Sequence, residues 1–221
     1  MALILNIDTS TETASVSIAR DGVILFSATN PVQKEHASFL HIAIKDLMQK
    51  ADINFIDLGA IAVTEGPGSY TGLRVGMAAA KGLAYALNKP FITINTLTAM
   101  AFAAVTENES FDYYCPMIDA RRMEVYTALY NNKMIEILSA SAIVLTEQTF
   151  IKELKNNKIA FSGTGSAKWK ALCNTPNCFF LDDMNLFTSI AQLSFKKFMD
   201  KNFTELAHSQ PLYVKEFFNG N

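Results

Sequence analysis

One order of elements occurs twice along these 221 residues, and it restricts the fold more than any other feature. In the first half Leu3–Ile7 is a continuous apolar run, the pattern of a fully buried strand. The next strand alternates, with Ala14, Val16 and Ile18 on one face and Thr13, Ser15 and Ser17 on the other. Asp21-Gly22 supplies a hairpin turn into a third strand, Val23–Ala28. Phe39, Ile42, Ile44, Leu47 and Met48 recur at roughly helical spacing and predict a helix over His36–Lys50. Strand Ile61–Val63, helix Thr71–Leu87, strand Phe91–Ile94 and helix Thr96–Val105 complete the half. The second half repeats the order. Strands Tyr113–Ile118, Val125–Tyr130 and Lys133–Leu138 are followed by a helix over Thr146–Lys155, capped by Thr146. Strand Ile159–Phe161, helix Ala167–Leu172, strand Phe179–Leu181 and helix Asn185–Asp200 follow. Both first strands end alike, in Ile7-Asp8 and Ile118-Asp119, and Glu12 and Glu124 precede or open the second strands.

Two βββαβαβα units imply two mixed sheets flanked by helices, with the first hairpins facing a cleft. That order is the duplicated α/β core of actin-like ATPases and sugar kinases (the ASKHA fold), with lobes expected at 1–106 and 107–221. The composition is half hydrophobic and 18% charged, an ordinary globular balance. The formal charge is −2 and the basic residues are scattered singly, which argues against unaided nucleic-acid binding. The N-terminal apolar run stops at Asn6 and Asp8 and lacks a basic flank, so it reads as a strand rather than a signal peptide. No apolar stretch is long enough to span a bilayer. Cys115, Cys173 and Cys178 form no CxxC pair, and the odd count argues against a disulfide framework. These features point to a cytoplasmic protein whose cysteines are structural.

Three short segments carry candidate ligand chemistry. Asp8-Thr9-Ser10-Thr11 follows the first strand, and a carboxylate beside three hydroxyls suits a hydrated Mg²⁺ and a phosphate oxygen. The same residues equally satisfy their own backbone in a polar hairpin. Asp119-Ala-Arg121-Arg122 is the matching turn of the second half, without the glycine that lets backbone approach phosphate. Ser162-Gly163-Thr164-Gly165, between a strand and a helix, suits an adenosine or a simple turn. Asp8, Thr9, Ser10, Asp119, Gly163 and Gly165 are therefore the candidate cofactor-binding residues.

Thr64-Glu-Gly-Pro-Gly-Ser-Tyr-Thr-Gly-Leu-Arg-Val-Gly76 is the most distinctive stretch. It lacks the Gly-Lys-Ser/Thr of a Walker A loop. Pro67 between two glycines makes a tight loop, and Ser69 or Thr71 caps the helix that follows. Gly72, Gly76, Ala80 and Ala84 fall every four residues and form a small-residue stripe. Interior glycine costs a helix about 1 kcal/mol relative to alanine, so close packing against a neighbour is the expected return. Spacing does not decide whether that neighbour lies in the chain or in another subunit. The candidate interface comprises this stripe with His36, Leu40, Leu73, Met77 and Leu83. His36 and His41 lie about 140° apart on a helix and cannot chelate one ion as an i, i+4 pair does. No metal site and no Ser/His/Asp or Cys/His constellation stands out, and Trp169 is expected in the second lobe's core.

With these residues the sequence resembles the TsaB (YeaZ) family, the M22 glycoprotease-like proteins of tRNA threonylcarbamoyladenosine synthesis. The resemblance covers nearly the whole chain. It rests on Ile7-Asp8-Thr9-Ser10, Glu35-His36, Gly66 through Gly76, Ile118-Asp-Ala-Arg121 with Glu124-Val-Tyr126, Gly163-Thr-Gly165 and Pro211-Leu-Tyr213. A departure is Lys215, where the family often has Arg. The resemblance implies a non-catalytic dimerisation subunit that binds the transferase TsaD through helices of its first lobe. It also implies a homodimer in isolation, the ATPase TsaE as a further partner, and contact with tRNA only through the complex. TsaD binds metal through a His-x-x-x-His pair, and position 40 here is Leu. No cofactor of its own is implied, with ATP or ADP placed at the junction with TsaD. The alternative is a nucleotide-dependent enzyme of the same fold, an ATPase or transferase using Asp8 and Asp119.

Overall fold

β1 (Leu3–Asp8) is buried along its whole length and lies at the centre of a five-stranded sheet. It pairs antiparallel with β2 (Ala14–Arg20), and β2 pairs antiparallel with β3 (Val23–Asn30). On its other side β1 pairs parallel with β4 (Ala60–Gly66), which pairs parallel with β5 (Phe91–Asn95). The second sheet repeats this arrangement. β6 (Tyr113–Asp119) is central and antiparallel to β7 (Glu124–Asn131), which carries β8 (Glu136–Val144). β6 is parallel to β9 (Ile159–Ser162), and β9 to β10 (Cys178–Phe180). The orders β3-β2-β1-β4-β5 and β8-β7-β6-β9-β10 are equivalent, as the repeated pattern requires. The structure, a computed structural model, describes residues 1–182 and 184–214; Lys215 lies outside the described residues.

Alternation along β1 explains how the first sheet is covered. Leu3, Leu5 and Ile7 join Val16, Ile18, Ile61 and Val63 in a core closed by α1 (His36–Lys50) and α2 (Tyr70–Leu87). Asn6 takes part in the packing of α6 (Phe187–Met199), where Ser194 Oγ donates to Asn6 Oδ1 at 2.6 Å. β2 is therefore buried on both sides despite its alternating sequence, Ser15 and Ser17 included. α2 is well bounded. Ser69 Oγ accepts from the Gly72 amide at its start, and Asn88 (φ 51°) stops it in the left-handed region.

The compact units differ from the expected 106/107 division. The first comprises Met1–Thr96 and Leu186–Leu212, the second Leu97–Asn185 with Tyr213 and Val214. The chain crosses over at the start of α3 (Thr96–Glu107), and α6 returns to pack on the first sheet. The following segment stays there. Thr204 donates its amide to Phe91 O at 2.8 Å, Lys81 Nζ donates to Ser209 O at 2.8 Å, and the Leu212 amide donates to Glu65 O at 2.7 Å.

In the second unit Cys115, Met117, Val125, Leu129, Phe150, Phe161 and Trp169 form the core. Trp169 is buried there as expected, edge-on to Phe150. Three expectations shift. β8 begins at Glu136 rather than Lys133, because Asn131 Oδ1 accepts from the Lys133 and Ile135 amides and extends the turn. The helix expected over Thr146–Lys155 is only α4 (Ile151–Leu154). Phe150 (φ 58°) is left-handed before it, and Thr149 Oγ1 accepts from the Thr146 amide in a separate turn. Cys173 and Cys178 are joined in a disulfide, contrary to the expectation drawn from the odd cysteine count, and Cys115 is free.

Candidate functional site

The first turn, after β1, is held by its own donors. Asp8 Oδ1 accepts from the Ser10 amide at 2.9 Å, Ser10 Oγ at 2.6 Å and Thr64 Oγ1 at 2.7 Å. Thr9 Oγ1 donates to Gly72 O at 2.7 Å, and Thr11 Oγ1 donates to Thr13 O at 3.3 Å. Asp8, Thr9 and Ser10 are all buried. All three donors meet the one oxygen, Oδ1. Asp8, Thr9, Ser10 and Thr11 each make at least one side-chain hydrogen bond within the fold.

The turn sits on the Gly-Pro-Gly loop and α2. A side chain at Gly68 would run into Ser10 O, and the Ser69 amide donates to that same oxygen at 2.7 Å. A β-carbon at Gly72 would overlap Thr9 O, and one at Gly76 would overlap Thr9 Oγ1. This corrects the interface assignment. Gly72, Gly76, Ala80 and Ala84 are buried within the chain, with Leu73 and Met77 beside them. The stripe is small because the first turn and β4 lie against it, so no second molecule reaches it. The same holds on α1. Leu40 is in the core, and His36 is 3% exposed with Nε2 3.0 Å from Glu12 O. Leu83 is half-buried against the same core.

The second turn is held differently. Asp119 Oδ1 accepts from Lys168 Nζ at 2.7 Å and from the Arg121 amide at 2.6 Å, and Lys168 Nζ also donates to Glu124 O at 3.2 Å. Partial burial pushes the Asp119 carboxyl up, but Lys168 and the Arg121 amide outweigh it and hold the group below its ordinary range. Lys168 comes from α5 (Ser166–Lys170) and was not singled out in the sequence. A lysine amid polar residues looks solvated, and its partner is 49 positions away. Gly163 and Gly165 lie in the loop between β9 and α5. Side chains there would collide with Met117 O and Val125 Cγ1, so both glycines serve the packing of this loop on the second sheet. The two carboxylates that end the first strands thus occupy equivalent places, one met by neutral donors and the other by an ammonium.

Comparison with known proteins follows this geometry. A family model described as TsaD, tRNA N6-adenosine threonylcarbamoyltransferase, matches residues 30–214. The tRNA threonylcarbamoyladenosine biosynthesis protein TsaB of Bacillus subtilis (strain 168) is 30% identical over 173 residues, 76% of this chain and 74% of that protein. The chain belongs to the TsaB family. A solved structure, YeaZ from Pseudomonas aeruginosa, superposes with a TM-score of 0.82 at 25% identity, over 96% of this chain and all of the other. An activator of the 2-hydroxyisocaproyl-CoA dehydratase from Clostridium difficile, solved with bound ADPNP, is 10% identical. It superposes at TM-score 0.53 over 91% of this chain and 96% of the other, and that likeness shows the actin-like fold alone.

The surface this TsaB-family chain leaves open lies on the outer side of the first-unit helices. Thr71, Arg74, Ala78, Gly82 and Tyr85 follow one another along the exposed side of α2, and Arg74 stacks over the Tyr70 ring at 4.0 Å. Nothing lies within 4 Å of the position a β-carbon on Gly82 would take. Ile42 on α1 is 63% exposed and Tyr85 is 81% exposed. Among the described residues no group of three or more His, Cys, Asp or Glu is placed to hold a metal ion, and no helix is long and apolar enough to cross a membrane.

Proposed function

We propose that the chain is a non-catalytic dimerisation and activating subunit in the synthesis of N6-threonylcarbamoyladenosine at position 37 of tRNA. It works by contact with a TsaD-type transferase. The observation that carries the non-catalytic reading is the internal use of the first turn. Asp8, Thr9, Ser10 and Thr11 all bond within the chain, and the glycines at 163 and 165 pack closely on Met117 and Val125. That internal bonding leaves Thr9, Ser10 and Thr11 committed to the turn and favours a structural role for it.

Contact requires an exposed face, and the outer side of α2 provides one. Apolar and small residues there supply burial and permit close approach on association. The same reading gives a homodimer in isolation and a TsaE-type ATPase as a further partner. It places ATP or ADP at the junction with the transferase, tRNA contact through the assembled complex, and the cytoplasm as the compartment. The test is mass spectrometry of tRNA nucleosides from a reconstituted system with and without this chain, alongside Gly82→Leu. The modified nucleoside should fall sharply without the chain, and Gly82→Leu should lose co-purification with the transferase while its circular dichroism is unchanged. Equal product without the chain, or ATP turnover by the chain alone, would overturn the proposal.

A further inference from the structure

α5 is a single helical turn of five residues, too short to persist on its backbone bonds alone. No side chain caps its start. Three attachments hold it. Trp169 is buried in the second core, Lys168 bridges Asp119 and Glu124, and Cys173, just past its end, is bonded to Cys178. Cys178 opens β10, a three-residue edge strand paired only with β9. The disulfide therefore joins a one-turn helix of this unit to its shortest strand. Both cysteines are half-buried rather than sealed in the core.

The third cysteine is kept out of this chemistry. Cys115 is fully buried on β6, with Sγ 3.2 Å from Thr127 Oγ1. Burial pushes its thiol up to about 12, so the thiolate that exchange requires is scarce. Only Cys173 and Cys178 are placed to trade partners.

We propose that Cys173–Cys178 is a reversible redox clip that sets how firmly α5 and β10 are held, and through Lys168 how firmly the Asp119 turn is held. In closing, the two thiols give up two protons and two electrons to a small disulfide oxidant of the glutathione-disulfide class. One sulfur–sulfur bond forms in the protein, and two small thiols leave. A dithiol reductant reverses the step. Paired cysteines that cycle in this way are the usual form of disulfide in reducing compartments.

The full chain, equilibrated in glutathione redox buffers, tests this by thiol labelling with mass spectrometry and by hydrogen exchange of the segment 166–180. In excess glutathione disulfide, Cys173 and Cys178 should escape labelling. In excess glutathione both should label while Cys115 does not. Amides of 166–180 should exchange about tenfold or more faster in the reduced form, and the melting temperature should fall by on the order of 5 °C. A Cys173→Ser variant should exchange like the reduced protein in both buffers. A pair that never oxidises, one that never reduces, or equal exchange in the two states would each overturn the clip.

Discussion

Thr9 Oγ1 fills the space that a β-carbon on Gly76 would need, and its hydrogen donates to Gly72 O at 2.7 Å. The first turn and α2 are thereby interlocked one helical turn apart, and the glycines are required by a neighbour inside the chain. Gly76→Leu should consequently fail to yield a folded monomer. The milder Gly76→Ala should cost roughly 1–3 kcal/mol. Thr9→Ala removes the colliding oxygen and leaves its own β-carbon at 3.5 Å, an ordinary contact. In that background the Gly76→Ala cost should shrink, with a coupling of about 1 kcal/mol or more in a double-mutant cycle by urea unfolding. Additive costs would show that the two residues do not press on each other.

Gly82 lies on the same helix and behaves oppositely. Its β-carbon position is open, and its backbone is ordinary helix. Gly82→Ala should stabilise the chain by about 0.5–1 kcal/mol through the smaller loss of backbone freedom on folding. A shift of the urea midpoint to higher concentration, with unchanged slope, is the expected reading.

Removing the Asp8 carboxylate strands three donors. Asp8→Ala leaves the Ser10 amide, Ser10 Oγ and Thr64 Oγ1 without their acceptor in a buried place. A loss of about 2–4 kcal/mol is expected. Whatever folds should keep its affinity for a transferase partner, because the outer side of α2 is untouched. Pull-down at a temperature well below the variant's melting point checks this.

Asp119 gives a pH signature. Its carboxyl titrates lower in the folded chain than in the unfolded one, so its contribution is present above the unfolded value of about 4 and vanishes as pH falls through the folded value. The side chain is 43% exposed, and solvent screening keeps the effect under about 1 kcal/mol. In Lys168→Met the carboxyl should titrate closer to its ordinary value, read directly by carboxyl-carbon NMR. An unmoved titration would show that the Arg121 amide, rather than Lys168, holds the anion.

The duplicated order was legible because strands and helices impose different periods on apolar residues, and two halves obeyed the same sequence of periods. The stripe on α2 was legible as small and illegible in its purpose. Spacing shows that room is left, but Thr9, which takes that room, is 63 positions from Gly72. The exposed residues proposed here to meet a partner were missed for the complementary reason: Ala78 and Gly82 differ from Ala80 and Gly76 only in which way the helix turns them. Thr146 looked like a cap, yet the chain spends it on a turn with Thr149 before a left-handed Phe150. Lys168 and the Cys173–Cys178 bond depend on proximity across a loop or a sheet, which no local pattern encodes.

The placement of α6 and the strap to Leu212 has a consequence for synthesis on the ribosome. The strands of the first sheet precede residues 97–185 of the other unit, whereas that sheet's second covering layer follows them. Until residues 186–212 appear, Asn6 and the apolar side chains sharing its face stay open to water. Release of a nascent chain cut short before that point should leave a sticky half-built layer, the kind of surface chaperones hold.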